Sequence, residues 1–229
     1  MNVKAPIPIG SWTPESLVDY PGHIASVIYT HGCNFWCPYC HNQDLLHSYS
    51  TKDQKTFEDI LPNILSNKLI TGVVFTGGEP SVRPYMVKKM ISTIRRESNL
   101  KIKIDTNGSS RDFISYARKN ADFIAMDFKT LRYSEISKIT IKEMRGRMQM
   151  LTYSKIPYEI RITMYPPLID KSEFDPMIQT LVDCRVRNVA VQQYRPISST
   201  ASAPYPIAVL EQFSERLEKR GIKVRRGWL

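Results

Sequence analysis

The chain has 229 residues, of which 42% are apolar and 24% charged, and 32 basic against 22 acidic side chains give a formal net charge of +10. This length can bury the core of one domain, and the composition excludes collagen-like, low-complexity and repeat architectures. No run approaches the length of a membrane span, and residues 1–10 hold one lysine and two prolines but no continuous apolar segment, so a cytoplasmic location is expected, with no membrane partner.

In chain order, short β-branched or aromatic runs alternate with amphipathic helical stretches. Strands are predicted over residues 24–30, 72–76, 101–105, 123–127, 158–164 and 189–194, and helices over 56–66, 85–97, 110–119, 139–153, 173–184 and 206–220, followed by a short strand over 223–227. This βα alternation predicts an α/β fold with a parallel sheet, in which right-handed crossovers close toward a partial (β/α)6 barrel and functional groups gather at the carboxy-terminal strand ends. A single domain over 1–229 is expected, with an amino-terminal extension over 1–23 and a carboxy-terminal helix and strand over 206–229. The segment 196–206, with three prolines among small residues, is expected to be an irregular surface loop.

At the end of the first predicted strand lies Gly32-Cys33-Asn34-Phe35-Trp36-Cys37-Pro38-Tyr39-Cys40-His41-Asn42. Three thiolates in one loop ask for a metal, and four cysteines with three of them at thiolate-ligand spacing suit a reducing compartment and argue against a disulfide framework. A closed zinc site would need a fourth ligand, with His31, His41 and His47 nearby in sequence. An iron–sulfur cluster on three cysteines instead leaves one iron open to a small molecule bearing an amino and a carboxylate group. The second predicted strand ends in Phe75-Thr76-Gly77-Gly78-Glu79-Pro80. Glycines without Cβ would let a ligand approach closely there, and the Glu79 carboxylate can accept hydrogen bonds from an ammonium group.

The cysteine spacing and the Gly-Gly-Glu-Pro element together resemble the radical S-adenosylmethionine (radical SAM) superfamily. The segments Ser16-Leu17-Val18-Asp19-Tyr20-Pro21-Gly22, His31-Gly32-Cys33-Asn34 and Tyr39-Cys40-His41-Asn42 resemble the activating enzymes of glycyl-radical proteins, in particular the anaerobic ribonucleoside-triphosphate reductase activating proteins. The resemblance implies a radical SAM partial (β/α)6 barrel, a 4Fe-4S cluster on Cys33, Cys37 and Cys40, and reductive cleavage of SAM to a 5′-deoxyadenosyl radical that abstracts a hydrogen atom. It implies that Gly77, Gly78 and Glu79 grip the SAM amino group and that Tyr39 belongs to the cofactor-binding set. Asp105, Thr106 and Asp127, at the third and fourth strand ends, inherit a place beside the SAM carboxylate and a monovalent cation. For Asp105, followed by Thr-Asn-Gly, a turn role is an equal alternative.

Lys129 and Arg161 are basic positions that could pair with the SAM carboxylate or with a strand-end acid. Gln192, Gln193, Tyr194 and Arg195 close the sixth strand, where adenine or a substrate peptide could be met, and His41 could tune the cluster by hydrogen bonding. The expected partner is a glycyl-radical enzyme such as anaerobic ribonucleotide reductase. Basic charge, heaviest at Arg216, Lys219, Arg220, Lys223, Arg225 and Arg226, suits an acidic electron donor such as flavodoxin or ferredoxin, whereas no nucleic-acid reading motif is present. Two alternatives stand beside this: a radical SAM enzyme acting on a small molecule, of the carboxy-deazaguanine synthase kind, and a non-catalytic basic iron–sulfur module.

Overall fold

The computed structural model describes residues 6–47 and 55–228. Residues 1–5 of the amino-terminal extension and residue 229 of the carboxy-terminal segment lie outside the described residues. The chain divides into two compact units, Met1–Asn34 with Asn42–Thr106 and Lys119–Phe123, and Phe35–His41 with Asn107–Arg118 and Ile124–Leu229.

In the first unit, β1 (Ser11–Ser16), β2 (Ala25–Thr30), β3 (Gly72–Gly77) and β4 (Lys101–Thr106) pair in chain order, β1 antiparallel to β2 and the others parallel. Val27, Ile28, Val73, Val74, Phe75, Ile102 and Ile104 are fully buried. The apolar runs of β2 and β3 are what strands covered on both faces require, whereas β4 shows alternation, and both patterns were legible as strands. Between them run α1 (Asp44–His47), α2 (Phe57–Ser66) and α3 (Pro84–Glu97). Helix α2 starts on a reciprocal cap, Thr56 accepting from the Asp59 amide while the Asp59 carboxylate accepts from the Thr56 amide.

Strand β1 departs from the sequence reading, which placed no element in the extension. Its sequence Ser-Trp-Thr-Pro-Glu-Ser has no alternating pattern, and Pro14 falls where the pairing becomes irregular between Thr13 and Ser16, as an imide without N–H demands. Its hold comes from β2 itself, through the ladder and through Trp12 Nε1, which donates to Ser26 Oγ at 2.7 Å.

In the second unit β5 (Phe123–Asp127), β6 (Tyr158–Met164), β7 (Asn188–Gln193) and β8 (Lys223–Arg226) are all parallel in chain order. The connections carry α4 (Arg111–Asn120), α5 (Ile141–Thr152), α6 (Phe174–Asp183) and α7 (Ile207–Glu218). Met144, Met148 and Leu151 bury one face of α5, with the helical spacing that the sequence showed. Residues 196–206 form no helix or strand. They are anchored by Gln193 Nε2, which donates to Tyr205 O, and by the Tyr205 hydroxyl, which donates to Ile169 O.

Both units thus build an α/β fold on parallel strands, and no helix among the described residues is long and apolar enough to cross a membrane. Helix α5 also begins on a capping box, the Glu143 amide donating to Thr140 Oγ1 at 3.2 Å and the Thr140 amide to Glu143 Oε2 at 2.9 Å. Thr140→Ala should therefore cost about 1 kcal/mol of stability and Thr140→Ser much less, read from urea midpoints. An alanine variant with an unchanged midpoint would show that the box contributes nothing.

Candidate active site

The first unit holds the glycine pair and the start of the cysteine loop. Strands β2 and β3 pair in register from Ala25↔Gly72 to Thr30↔Gly77, and the ladder continues past the strand ends: the Gly78 amide donates to Thr30 O at 2.9 Å and the Glu79 amide to Gly32 O at 2.8 Å. A Cβ on Gly77 would stand 2.4 Å from Thr30 N, and one on Gly78 would stand 2.0 Å from Gly32 O. The space that the sequence reading reserved for a ligand at these Cβ positions is thus filled by the chain itself, by backbone that leads directly into Cys33. Gly77 also has φ +109°, a conformation that side chains disfavour.

Glu79 is buried, and its Oε1 accepts from Thr106 Oγ1 at 2.7 Å and from the Ser81 amide at 2.9 Å. Thr106 and Asp105 close β4, and Asp105 Oδ1 lies 2.7 Å from Lys103 Nζ. The turn role weighed for Asp105 falls to its neighbours in the second unit. There the Ser109 amide donates to Asn107 Oδ1, and Gly108 takes φ +76° with its Cβ direction against Met126.

The second unit gathers Cys37, Tyr39, Cys40, Asp127, Lys129 and Arg161. Register Asp127↔Arg161 between β5 and β6 puts both side chains on one face. Arg161 Nε lies 2.9 Å from Asp127 Oδ1, and Lys129 Nζ lies 2.9 Å from Oδ2. Both basic residues therefore pair with the strand-end acid. Burial opposes the charge on Asp127, but Arg161 and Lys129 outweigh it and hold the carboxyl below its ordinary range. Burial likewise opposes the Lys129 ammonium, and Asp127 more than compensates, raising it well above the usual lysine value. Burial pushes the Cys37 thiol up, with Lys129 opposing. A metal bound at Cys37 must therefore displace a proton from a neutral thiol.

Tyr39 is buried, with Lys129 Nζ 5.7 Å from its ring centre, and Tyr165 and Tyr194 pack on it at 4.8 and 6.3 Å between ring centres. Its hydroxyl has no hydrogen-bond partner among the described residues. Sequence reasoning assigned Tyr194 a place but no role and missed Tyr165, which follows β6 directly. Aromatic residues at the ends of neighbouring parallel strands were the signal that could have found the cluster. Gln192 meets Thr163 at 3.3 Å, whereas Arg195 and His41 are exposed.

Cys33, Cys37 and Cys40 are half-buried thiols and Cys184 is buried, none of them in a disulfide. Among the described residues, no group of three or more His, Cys, Asp and Glu side chains is drawn together as a single metal ion would need. The fit of a cluster rests on the donor set, three partly accessible thiols in one loop, because thiolate is the ligand that iron–sulfur clusters take.

Two outcomes follow from this geometry. Gly78→Ala should displace Gly32 and so lower iron and sulfide uptake on anaerobic reconstitution, whereas Thr106→Val should leave uptake near normal; full loading of the alanine variant would contradict the close approach. The contribution of Asp127 to the stability of the cluster-free protein should be present above the ordinary carboxyl value of 3.8 and be lost as pH falls through its lower folded value. That of Lys129 should be present below 10.5 and be lost as pH rises through its higher folded value. The stability difference between wild type and Asp127→Asn, from urea unfolding at a series of pH values, should be flat between these limits and shrink outside them.

The radical SAM superfamily model matches residues 27–185. A Methanocaldococcus jannaschii protein provisionally named a glycyl-radical enzyme activating enzyme is 30% identical over 191 residues, covering 79% of this chain and 77% of that protein. The pyruvate formate-lyase-activating enzyme of Clostridium pasteurianum is 28% identical over 188 residues, with the same two shares of 79% and 77%. Among solved structures, Streptococcus suis SuiB bound to S-adenosylmethionine aligns with a TM-score of 0.68 at 15% identity over 87% of this chain and 49% of that one, so this chain spans about half of SuiB. The α/β fold, the matched segment from β2 to the end of α6, and a 30% identical relative over most of both lengths have one reading: the chain belongs to the radical SAM superfamily, among the activating enzymes of glycyl-radical proteins, a family that works with a 4Fe-4S cluster and SAM.

Proposed function

We propose that this enzyme installs a glycyl radical on a partner protein by abstracting a hydrogen atom from a glycine Cα, with anaerobic ribonucleotide reductase as the partner that the sequence resemblance favours. The observation that carries the reading is the backbone contact of Gly78 and Glu79 with Thr30 and Gly32, which ties the amino-group site to the cysteine loop. When bound, the cluster and SAM supply a one-electron cleavage that releases a 5′-deoxyadenosyl radical. Cys33, Cys37 and Cys40 hold the cluster through three thiolates and leave one iron position for SAM.

Glu79 receives the SAM ammonium, its carboxylate held in orientation by Thr106 and the Ser81 amide. In the second unit Lys129 and Arg161 oppose the single charge of Asp127. Their remaining N–H donors are of the kind that pair with the SAM carboxylate, the role that the sequence reading offered them. Tyr39 in the second unit and Asp105 and Thr106 in the first keep the SAM-binding places that the resemblance implies. The electron donor is an acidic flavodoxin or ferredoxin attracted by the basic chain, and the setting is the reducing cytoplasm. Of the six basic residues in the carboxy-terminal excess, Arg216 pairs with Asp175, Arg225 with Glu159, and Arg226 with both Glu211 and Glu218; the attraction therefore draws on the others.

The dithionite-reduced protein should convert SAM to methionine and 5′-deoxyadenosine, and Glu79→Gln should weaken SAM binding by about tenfold to hundredfold while Cys184→Ala leaves cluster content unchanged. With SAM and a cognate glycyl-radical enzyme, an EPR doublet should appear on the partner and vanish when its target glycine becomes alanine. Deoxyadenosine without a doublet on any glycyl-radical protein of the source genome would transfer the reading to a small-molecule substrate.

A further inference from the structure

The resemblance implies a monovalent cation held by Asp105, Thr106 and Asp127, but the charges already set against the two aspartates do not fit one. Lys103 and Asp105 are two residues apart on β4, so period-two alternation puts both side chains on one face of the strand. Lys103 Nζ lies 2.7 Å from Asp105 Oδ1, with side-chain exposures of 4% and 6%, and the same ammonium donates to Asp19 O at 2.6 Å. One carboxylate and one main-chain carbonyl are the hard oxygen donors that an alkali cation would choose. In the second unit, Asp127 carries Lys129 and Arg161, each at 2.9 Å.

We propose that Lys103 is a resident cation, its ammonium standing in the fold where a dissociable monovalent ion would stand beside Asp105, so that this enzyme needs neither potassium nor sodium to bind SAM. A second cation on Asp105 would sit beside the ammonium in a site shut off from water, where like charges repel with little screening. A soluble ion binds by mass action and leaves when it is diluted, whereas a tethered ammonium is present at a fixed, high effective concentration.

Lys103 neutralises a carboxylate that the buried strand end would otherwise have to hold alone, which makes it a positioning residue for Asp105. The consequence for SAM binding rests on the function proposed above; the cation assignment rests on the ion pair alone. The contact with Asp19 O also ties the Ser16–Asp19 turn, closed by Ser16 Oγ on Asp19 Oδ2 at 2.5 Å, to β4.

The test has an arm that needs no SAM chemistry. Cluster-free wild type, held in choline chloride, is titrated with thallium(I) as a potassium probe and followed by thallium NMR; no saturable site at Asp105 is expected. Lys103→Met should acquire one that potassium displaces, and Lys103→Met with Asp105→Asn should lose it again. On the reconstituted protein, SAM affinity of wild type should differ by less than about twofold between potassium and choline at matched ionic strength, while Lys103→Met should be about tenfold weaker in choline and recover in potassium. A saturable thallium site in wild type that Asp105→Asn removes, or a wild-type SAM affinity that depends on potassium, would overturn the proposal. So would a Lys103→Met protein with a native circular dichroism spectrum and no cation response. If Lys103→Met does not fold, the wild-type measurements decide. If SAM is never cleaved, the thallium result still stands or falls by itself.

Discussion

Two main-chain hydrogen bonds, from the amides of Gly78 and Glu79 to the carbonyls of Thr30 and Gly32, set the conditions for the rest of the candidate site in the first unit. They extend the parallel ladder of β2 and β3 beyond the strand ends, so the loops inherit their positions from strand pairing. The approach is too close for any Cβ at 77 or 78, and Asn42 Nδ2 adds a further contact to Gly77 O at 3.3 Å. The cysteine loop thus leaves β2 against a surface of bare backbone. A rigid exit of this kind is what a ligand set needs when its metal must be met by several side chains at once.

Charge is the second constraint. Each deeply placed acid described in these strands has a basic partner: Asp105 with Lys103, Asp127 with Lys129 and Arg161, and Glu159 with Arg225. Burying a lone charge costs several kcal/mol, on the order of a whole domain's margin of stability, so pairing is obligatory once strand register places these groups inside. Pairing adds little net stability of its own. What it does is fix the orientation of carboxylates, that of Asp105 by Lys103 and that of Asp127 by Lys129 and Arg161. The same arithmetic explains why an excess of carboxy-terminal basic charge reads as a partner surface in the sequence while half of those residues pair with acids of α6, α7 and β6.

Legibility followed how local the cause of each feature is. Strands β2 to β8 and the six longer helices were readable because strands show apolar runs or period-two alternation and helices carry their periodicity and caps within a dozen residues. Strand β1 was not, since Ser-Trp-Thr-Pro-Glu-Ser becomes a strand only by lying along β2. The short helix Asp44–His47 is too brief to show a period. Arg161 was visible as a basic residue in a strand, yet its direction depended on the register that sets it opposite Asp127. The alternation Lys101-Ile102-Lys103-Ile104-Asp105 already put Lys103 beside Asp105. The carbonyl of Asp19 that completes its surroundings is 84 residues away in sequence.

The sequence by itself determined the class of chemistry: the spacing of Cys33, Cys37 and Cys40, the Gly-Gly-Glu-Pro element and the order of strands are properties of short segments, and the ligand types and turns they specify follow from side-chain chemistry alone. Only the tertiary structure decided what the glycines make room for, that Arg161 meets Asp127, and that Tyr39, Tyr165 and Tyr194 stand together. Those outcomes turn on contacts between segments dozens of residues apart. A shift of one residue in strand register would send Asp127 or Arg161 to the opposite face of its sheet, and nothing within a short segment records which register the folded chain adopts.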